Sequence, residues 1–317
     1  MTTSGAVDEP RIVDIGSGVY LIDTAMAGYS SIVASYFLAA SKPCLVETGS
    51  ALSSGTVQRA LARWGVAAGD LATIVVTHIH LDHAGGVGDL AAAYPNAQVV
   101  VHQRGARHLA DPERLLVSAR RVYGELFDTV FGDLRPTDAA RLRAVEDVDV
   151  VDLGDGRTLT SYYTPGHAQH HVGLVDSATG DVYVGDAAGV YIPDLDVLRP
   201  STPPPDFDLP TALASLRRLA ALDPARLLFS HFGPVSAPGE VLARAGEEIR
   251  AWVDLIGHAR SETPDLDHAV AMVQARTRER YPRLYADANL AQKHETLSST
   301  EANVVGISRW LDREHVS

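Results

Sequence analysis

Short apolar runs alternate with amphipathic stretches along the first half of the chain. The runs have the length and composition of strands, and the stretches between them repeat apolar residues at the helical spacing. This alternation indicates mixed α and β structure, with a first helix over about Ser53–Trp64. The predicted strands are Arg11–Asp23 (a pair around a glycine turn), Ser31–Ala39, Cys44–Val46, Thr73–Val76 and Gln98–Val101.

The middle of the chain returns to strands. From Asp147 to Val184, apolar runs are separated by turns rich in Gly and Asp. A helix over Leu209–Leu222 and a strand over Arg226–Phe229 follow. The stretch Ile192–Pro210 holds six prolines. Because proline disfavours both helices and central strands, we expect this stretch to be a loop over one face.

The last quarter of the chain shows only the helical period. Glu240–His258 is predicted to be an amphipathic helix, and further helices follow it. Ser298 and Glu301, three residues apart, predict a capping box at the start of the final helix. We therefore expect two domains, residues 1–237 with the strands and residues 238–317 as an all-helical extension.

Composition excludes several classes of protein. The 317-residue chain has 27 Lys+Arg against 40 Asp+Glu, a formal charge of −13, and no long basic run, which argues against nucleic-acid binding. Cys44 is the only cysteine, so the chain can form neither an internal disulfide nor a cysteine-based zinc site. A signal-peptide pattern is absent from the N-terminus, and no apolar run approaches the ~18 residues of a membrane span. We expect a cytoplasmic protein without membrane partners, with a homo-oligomer left open.

The clearest chemical signal is the sequence HIHLDH at His78–His83, one cluster among 13 histidines in the chain. It directly follows the apolar strand Thr73–Val76 and shows neither helical nor strand periodicity, so we expect a loop. Neutral imidazoles and a carboxylate are natural ligands for zinc, iron and manganese. Four such groups within six residues predict a metal site at the end of this strand.

Three further candidate ligands also follow strand-like runs. His167 comes after the run ending at Tyr163, Asp186 after the one ending at Val184, and His231 after the one ending at Phe229. Each residue alone is typical of an ordinary loop. Together they repeat one arrangement, a ligand type just past the carboxyl end of a buried strand.

This ordered set resembles that of the metallo-β-lactamase fold hydrolases, over roughly residues 11–235. The resemblance implies a four-layer αββα sandwich with the site at one edge of its two sheets, and two divalent metal ions, most often zinc, with iron or manganese as alternatives. By this resemblance His78, His80 and His167 would hold the first ion, Asp82, His83 and His231 the second, and Asp186 would bridge both.

The implied chemistry is hydrolysis by a hydroxide that bridges the two ions, with Asp82 taking part in proton transfer. Asp186 stands where true β-lactamases carry Cys or Ser, so the chain is closer to the branch of glyoxalase II and the lactonases. The expected substrate is a small ester, thioester or lactone. Two alternatives stay open: a persulfide dioxygenase with one iron, and a metal-bearing binding module whose helical extension recruits a partner.

Four residues near the motifs carry weaker signals. Tyr191 is a candidate for contacting the substrate. Lactonases of this family have a catalytic Tyr three residues after the residue equivalent to Asp186, whereas this chain has Gly189 there and Tyr191 five residues after Asp186. Glu47 stands where many members have Asp and could accept a hydrogen bond from a ligand imidazole. His171 matches a packing histidine of the family, and His170 occupies a position that is commonly Gly.

Overall fold

The computed structural model describes residues 9–192 and 195–314. The first eight residues, part of the stretch that argued against a signal peptide, lie outside the described residues, as do Pro193 and Asp194 of the proline-rich stretch. Within the described ranges, no helix is both long and apolar enough to cross a membrane. The cytoplasmic location and the oligomeric state stay predictions.

The amino-terminal part, as far as the structure describes it, forms a seven-stranded sheet whose strands follow one another in chain order. Strands one to four pair antiparallel, whereas strands four to six pair in parallel. The strands are β1 (Ile12–Gly16), β2 (Val19–Asp23), β3 (Ala34–Leu38), β4 (Cys44–Val46), β5 (Thr73–Val75), β6 (Gln98–His102) and β7 (Leu142–Val145). The α-helices between them are α1 (Ser54–Arg63), α2 (Leu81–Ala84), α3 (Val87–Ala93), α4 (Gln103–Ala110), α5 (Glu113–Tyr123) and α6 (Leu126–Val130).

The parallel strands of this sheet bring two functional segments to one edge. Val46 at the end of β4 pairs with Val75 at the end of β5. Parallel strands need a crossover, which α1 supplies while burying Val57 and Leu61. Because both strands end at the same edge, the segment that starts at Glu47 lies beside the segment that carries the histidine motif.

A second sheet has six strands among the described residues, in the order β15-β14-β11-β10-β9-β8. The pairs β9–β10 and β10–β11 are antiparallel and β11–β14 is parallel, so β9, β11 and β14 all run in one direction. The strands are β8 (Val150–Asp152), β9 (Thr158–Tyr163), β10 (Val172–Asp176), β11 (Val182–Gly185), β14 (Leu227–Phe229) and β15 (Gly233–Val235).

The register of this sheet explains where its loops emerge. Tyr163 pairs with Val172, and Gly185 pairs with Phe229. The carboxyl ends of β9, β11 and β14 therefore share one edge, and the segments with His167, Asp186 and His231 follow them directly.

The proline-rich stretch is not the simple loop that its composition predicts. It contains β13 (Val197–Arg199), which pairs with β12 (Val190–Ile192) in a two-stranded antiparallel sheet. All three residues of β13 are buried. Burial of this short Val-Leu-Arg run outweighs the proline content on either side of it.

Four of the five remaining helices share a core with the second sheet. The fifth, α10 (Ala288–Leu297), packs Leu290 against a separate small cluster with Tyr281 and Leu284. Trp252, Ile256, Val304 and Ile307 belong to the same buried cluster as Phe229 of β14. Burial of such apolar surface is the main source of stability for these helices. The helices are α7 (Leu209–Ala221), α8 (Pro238–Glu262), α9 (Leu266–Arg280), α10 (Ala288–Leu297) and α11 (Thr300–Glu314).

The predicted helical extension is therefore present, and α8 begins at Pro238. The domain boundary between residues 237 and 238 stays a prediction. The predicted capping box is wrong, because α11 begins at Thr300. Ser299 Oγ accepts from the Ala302 N–H at 3.2 Å, and Glu295 Oε2 accepts from the Thr300 N–H at 3.0 Å.

Candidate metal centre

Two buried imidazoles face each other after β5 and β9. Nε2 of His78 lies 3.3 Å from Nε2 of His167. The Thr77 hydroxyl lies 3.0 Å from His78 Nδ1, and the Ser201 carbonyl oxygen lies 2.9 Å from His167 Nδ1. Because a carbonyl oxygen only accepts, Nδ1 of His167 carries the ring proton and Nε2 keeps its lone pair when the ring is neutral. This is the tautomer that a metal ligand requires.

Asp186 joins these imidazoles to a third one. Its Oδ2 lies 3.6 Å from His167 Nε2, and its Oδ1 lies 3.3 Å from His231 Nε2. The Ser201 hydroxyl donates to Asp186 Oδ2 at 2.9 Å. The backbone N–H of Asp186 donates to Nε2 of His171 at 3.1 Å. Both the carboxylate and the backbone of Asp186 are thus fixed by neighbours.

The residue before Asp186 has to be glycine. Gly185 has φ +49°, a conformation that L side chains rarely adopt. A Cβ there would lie 2.5 Å from Nε2 of His171 and 2.6 Å from Oγ1 of Thr77. His171 is itself held by Thr164, whose hydroxyl lies 2.9 Å from Nδ1. His171 therefore acts as the packing histidine that the resemblance implies.

His231 is held through its backbone by Tyr191. The Tyr191 N–H donates to the His231 carbonyl at 2.6 Å, and the Tyr191 carbonyl accepts from Phe232 at 2.9 Å. The Tyr191 hydroxyl donates to Asp196 Oδ1 at 3.2 Å. Burial and the neighbouring Asp196 raise the pKa of this phenol above its usual value. A contact between the Tyr191 side chain and substrate stays a prediction.

The rest of the histidine motif lies on a short helix instead of the loop that the sequence predicts. His80 is the extended residue before α2, and Asp82 lies in its first turn. An acidic residue is favoured in the first turn of a helix. The turn places Asp82 Oδ2 3.5 Å from Nε2 of His83.

Glu47 and Thr48 support the motif from the end of β4. Oε1 of Glu47 lies 3.5 Å from Nδ1 of His83, the ring nitrogen turned away from Asp82. Glu47 is buried and has φ +65°, which is uncommon for a residue with a side chain. Thr48 donates to the His83 carbonyl from its N–H at 2.8 Å and from its hydroxyl at 2.7 Å.

His170, at a position where the resemblance implies a Gly, contacts the motif directly. Its Nδ1 accepts from the Ile79 N–H at 3.3 Å. Its ring stacks on that of His78, with centroids 6.1 Å apart and planes 10° apart. His170 therefore holds the backbone and the ring orientation of the motif, a role that the sequence did not indicate.

Among the described residues there are three groups of possible ligand side chains. Within each group, the ligand atoms all lie within 4.8 Å of one another. Two of the groups consist of the same residues as the two ligand sets that the resemblance implies. The third group combines one histidine from each set with Asp186. Five neutral imidazoles and two carboxylates are a donor set suited to divalent transition metals. The groups are His78, His80 and His167; Asp82, His83 and His231; and His78, His83 and Asp186.

Sequence reasoning missed the residue that touches two predicted ligands, Ser201. A serine that follows a proline carries no recognisable signal, and its two contacts span 34 and 15 residues. A cavity of about 510 Å³ also borders Gly166, next to His167, which is large enough for a small molecule. Arg104, Tyr163, Gln169, Asp206, Thr211 and Arg313 are among the residues that line it.

Comparison with known proteins decides the family. The model of the metallo-beta-lactamase superfamily matches residues 12–231. The chain belongs to this superfamily. The expected fold class is confirmed: mixed α/β sheets and helices in the metallo-β-lactamase fold, with a helical carboxyl-terminal region.

Three similar proteins illustrate the range of the likeness. The metallo-beta-lactamase fold-containing protein ST1585 of Sulfurisphaera tokodaii is 35% identical over 196 residues, 59% of this chain and 71% of that protein. Its crystal structure, from Sulfolobus tokodaii, has a TM-score of 0.61 at 26% identity and covers 73% of this chain and 85% of its own. The family protein TTHA1429 from Thermus thermophilus has a TM-score of 0.67 at 21% identity and covers 95% of both chains.

The third is MEM-A1, a subclass B3 metallo-beta-lactamase from a soil metagenome library. It has a TM-score of 0.55 at 23% identity and covers 77% of this chain and 95% of its own. At this identity the likeness shows the shared fold alone. Because the TTHA1429 structure spans nearly the whole chain, the carboxyl-terminal helices also have counterparts in that fold.

Proposed function

We propose that this chain is a hydrolase that holds two divalent metal ions and cleaves a small ester, thioester or lactone. Its superfamily, whose members are typically metal-dependent hydrolases, supports the proposal. The observation that carries it is the buried cluster in which Nε2 of His167 lies 3.3 Å from His78 and 3.6 Å from Asp186. Burying several imidazoles around a carboxylate is costly unless a cation compensates their charge and lone pairs.

Seven residues divide between the two ions in this proposal. The division follows the groups of neighbouring ligand atoms and the family resemblance. Zinc is the expected metal, since it favours His and carboxylate ligands, although iron and manganese accept the same set. His78, His80 and His167 would hold one ion, Asp82, His83 and His231 the other, and Asp186 both.

When bound, two divalent ions lower the pKa of water and polarise a carbonyl oxygen. Asp82 has the more accessible of the two carboxylates, 18% exposed against 6% for Asp186. In our proposal Asp82 Oδ2 takes the proton of the attacking water and passes it to the leaving oxygen or sulfur. Tyr191 is proposed to hydrogen-bond the substrate after its hydroxyl leaves Asp196.

The substrate is proposed to be a small molecule rather than a nucleic acid or a membrane. The net charge of −13 supports this, because nucleic acids and anionic lipid surfaces repel an acidic protein. The cavity beside Gly166 has the size of typical small-ligand pockets. A cytoplasmic location is part of the same proposal.

A substrate panel tests this function. The zinc-loaded protein should hydrolyse at least one ester, thioester or lactone of the panel, whereas a β-lactam should not be cleaved. His80→Ala should abolish the activity, and His258→Ala, an exchange at a 63% exposed histidine, should not. Equal rates for the wild type and His80→Ala across the panel would refute hydrolysis at this centre. Oxygen consumption with a persulfide, by protein holding one iron, would favour the dioxygenase instead.

A further inference from the structure

The proline-rich stretch connects the metal centre to the carboxyl-terminal helices. Ser201 accepts a hydrogen bond from His167 Nδ1 with its carbonyl and donates one to Asp186 Oδ2 with its hydroxyl, both at 2.9 Å. One residue outside the ligand set thus fixes the ring of one predicted ligand and the carboxylate of another. The question is then what fixes Ser201.

The next residue, Thr202, is fully buried and bound to α11. Its N–H donates to Oδ1 of Asn303, and its hydroxyl lies 3.0 Å from the same oxygen. Asn303 is 3% exposed and donates with Nδ2 to the Ser299 carbonyl at 2.9 Å and to Ser298 Oγ at 3.2 Å. Every polar atom of the Asn303 side chain is therefore engaged, which locks its rotamer.

The backbone of α11 touches the same place. A Cβ on Gly306 would lie 1.8 Å from the carbonyl oxygen of Thr202. Glycine is a weaker helix former than alanine at such an interior helical position. The close approach of Thr202 to the helix explains why a glycine is accommodated there.

The residues before Ser201 are held by the helices as well. The Tyr281 hydroxyl donates to the Leu198 carbonyl at 3.1 Å. Arg199, only 1% exposed, donates to Thr300 Oγ1 at 2.7 Å and to Glu295 Oε1 at 3.2 Å. From Leu198 to Thr202 the chain is thus tied by four side chains to α10, to α11 and to Tyr281, the residue that follows α9.

We propose that Asn303 is a positioning residue of the metal centre: by anchoring Thr202 it fixes Ser201, and through Ser201 the orientation of His167 and Asp186. The inference rests on the proposed metal binding. It gives the helical region a role in the centre although none of the grouped ligand side chains lies on α8–α11. Partners that orient metal ligands typically contribute 10–100-fold to metal affinity, and Asn303 acts on such a partner, Ser201, through Thr202.

The test measures binding and the visible spectrum of Co²⁺ in the full-length apoprotein, together with thermal unfolding without metal. Asn303→Ala should lower the Co²⁺ affinity by on the order of tenfold and change the spectrum. Asn303→Asp keeps an acceptor for Thr202 but turns a buried carboxylate oxygen toward the Ser299 carbonyl, to which Nδ2 donates at 2.9 Å, so this exchange should also lower the affinity. Thr202→Val, which removes only the hydroxyl contact, should lower the affinity by about two- to threefold.

Arg260→Ala is the matched control. Arg260, on α8, also links a helix to α11, by donating to the Ser308 carbonyl at 2.6 Å and to Asp312. Neither of these hydrogen bonds involves the segment from Leu198 to Thr202. This variant should unfold at a lower temperature and bind Co²⁺ like the wild type. The inference is overturned if Asn303→Ala keeps the wild-type affinity and spectrum, or if it and Arg260→Ala lose affinity equally. A wild type that binds no Co²⁺ would refute the proposed function and this inference with it.

Discussion

Our proposal takes its metal ligands from two regions of the chain that are built differently. His80, Asp82 and His83 lie within four residues around one short helix, and Thr48 and Glu47 support them from the neighbouring strand end. The ligands of the second sheet come from three separate loops, and each loop is fixed by a residue outside the ligand set. Those outside residues are Ser201 for His167, His171 and Ser201 for Asp186, and Tyr191 for His231.

This difference predicts which substitutions should reduce metal binding. A local motif carries much of its geometry in its own spacing, so it depends less on residues far away in the chain. Ligands on separate loops depend on distant residues for their orientation. Outside the ligands themselves, substitutions that reduce metal binding should therefore concentrate around the second sheet.

The largest effect is expected from Asp186→Asn. The exchange keeps the shape of the side chain but removes the charge that both ions share in our proposal. Metal affinity and activity should fall by more than about 100-fold, since even outer partners contribute up to that much. Metal content after dialysis and the rate on the best substrate measure the loss.

Asp181→Asn provides the control at the opposite end of β11. Asp181 is equally buried and pairs with Arg226 at 2.6 Å, far along the strand from the centre. Its exchange should lower the free energy of unfolding and leave the metal content intact. A drop in metal content of the same size in both variants would mean that disturbance of the strand, and not loss of the Asp186 charge, causes the loss of metal.

Gly185→Ala should have the next largest effect. The new Cβ meets His171 and Thr77 at 2.5–2.6 Å, in addition to the strain of φ +49°. The left-handed conformation alone costs about 1–2 kcal/mol, and the clash must move the residues that orient Asp186. Gly180→Ala makes the same exchange at φ +72° with no neighbour closer than 3.5 Å.

We expect Gly180→Ala to lose only about 1–2 kcal/mol of stability and to bind metal normally. Gly185→Ala should lose more stability and also metal affinity, which chemical unfolding and a metal titration measure separately. If both variants show the same loss of stability and the same metal affinity, the inference that His171 helps to orient Asp186 is wrong.

A smaller effect should appear in the pH dependence of stability, away from both ligand regions. Burial, together with the positive charges of Lys293 and Arg199, lowers the pKa of His294 in α10 to about 4. In the unfolded chain this histidine titrates near pH 6.5, so between pH 6.5 and 4 the unfolded state binds the extra proton. Stability should fall by up to about 3 kcal/mol as the pH is lowered through this range.

His294→Phe should remove this part of the pH dependence, whereas His268→Phe, on the surface of α9, should not. Urea unfolding at several pH values measures the slopes. A wild-type slope that the His294 exchange leaves unchanged would contradict the assignment.

The smallest effect is expected from Tyr191→Phe. The exchange removes the hydroxyl that binds Asp196 but keeps the backbone hydrogen bonds to His231 and Phe232. If the hydroxyl contacts substrate, KM should rise about two- to tenfold while metal content stays constant. An unchanged KM would remove Tyr191 from the substrate-binding residues.

The sequence predicts the local histidine motif better than it predicts the ligands of the second sheet, because only the motif has its ligands close together in the sequence. The spacing from His78 to His83 is enough to indicate a metal site, because four potential ligand residues among six rarely occur by chance. His167, Asp186 and His231 acquire meaning only through the family resemblance. Most strands and the long helices follow from periodicity, whereas α2 and β13 do not, since each is only three or four residues long.

Contacts between distant residues explain what the sequence could not provide. Ser201 and Asn303 are ordinary polar residues until the fold brings them together through Thr202, a link that spans 101 residues. Gly185 is one of 26 glycines, and only the packing of His171 and Thr77 against it gives it a particular role. Such roles are fixed by tertiary packing, which local patterns do not encode.

The most direct test of the central claim is the metal content of the protein, purified without added metal and measured by elemental analysis. Two divalent ions per chain, predominantly zinc, are the predicted result, with His80→Ala and His167→Ala each retaining fewer than two. A chain that binds no divalent metal, or that holds a single iron and loses none in the His231→Ala variant, would contradict a two-metal hydrolase.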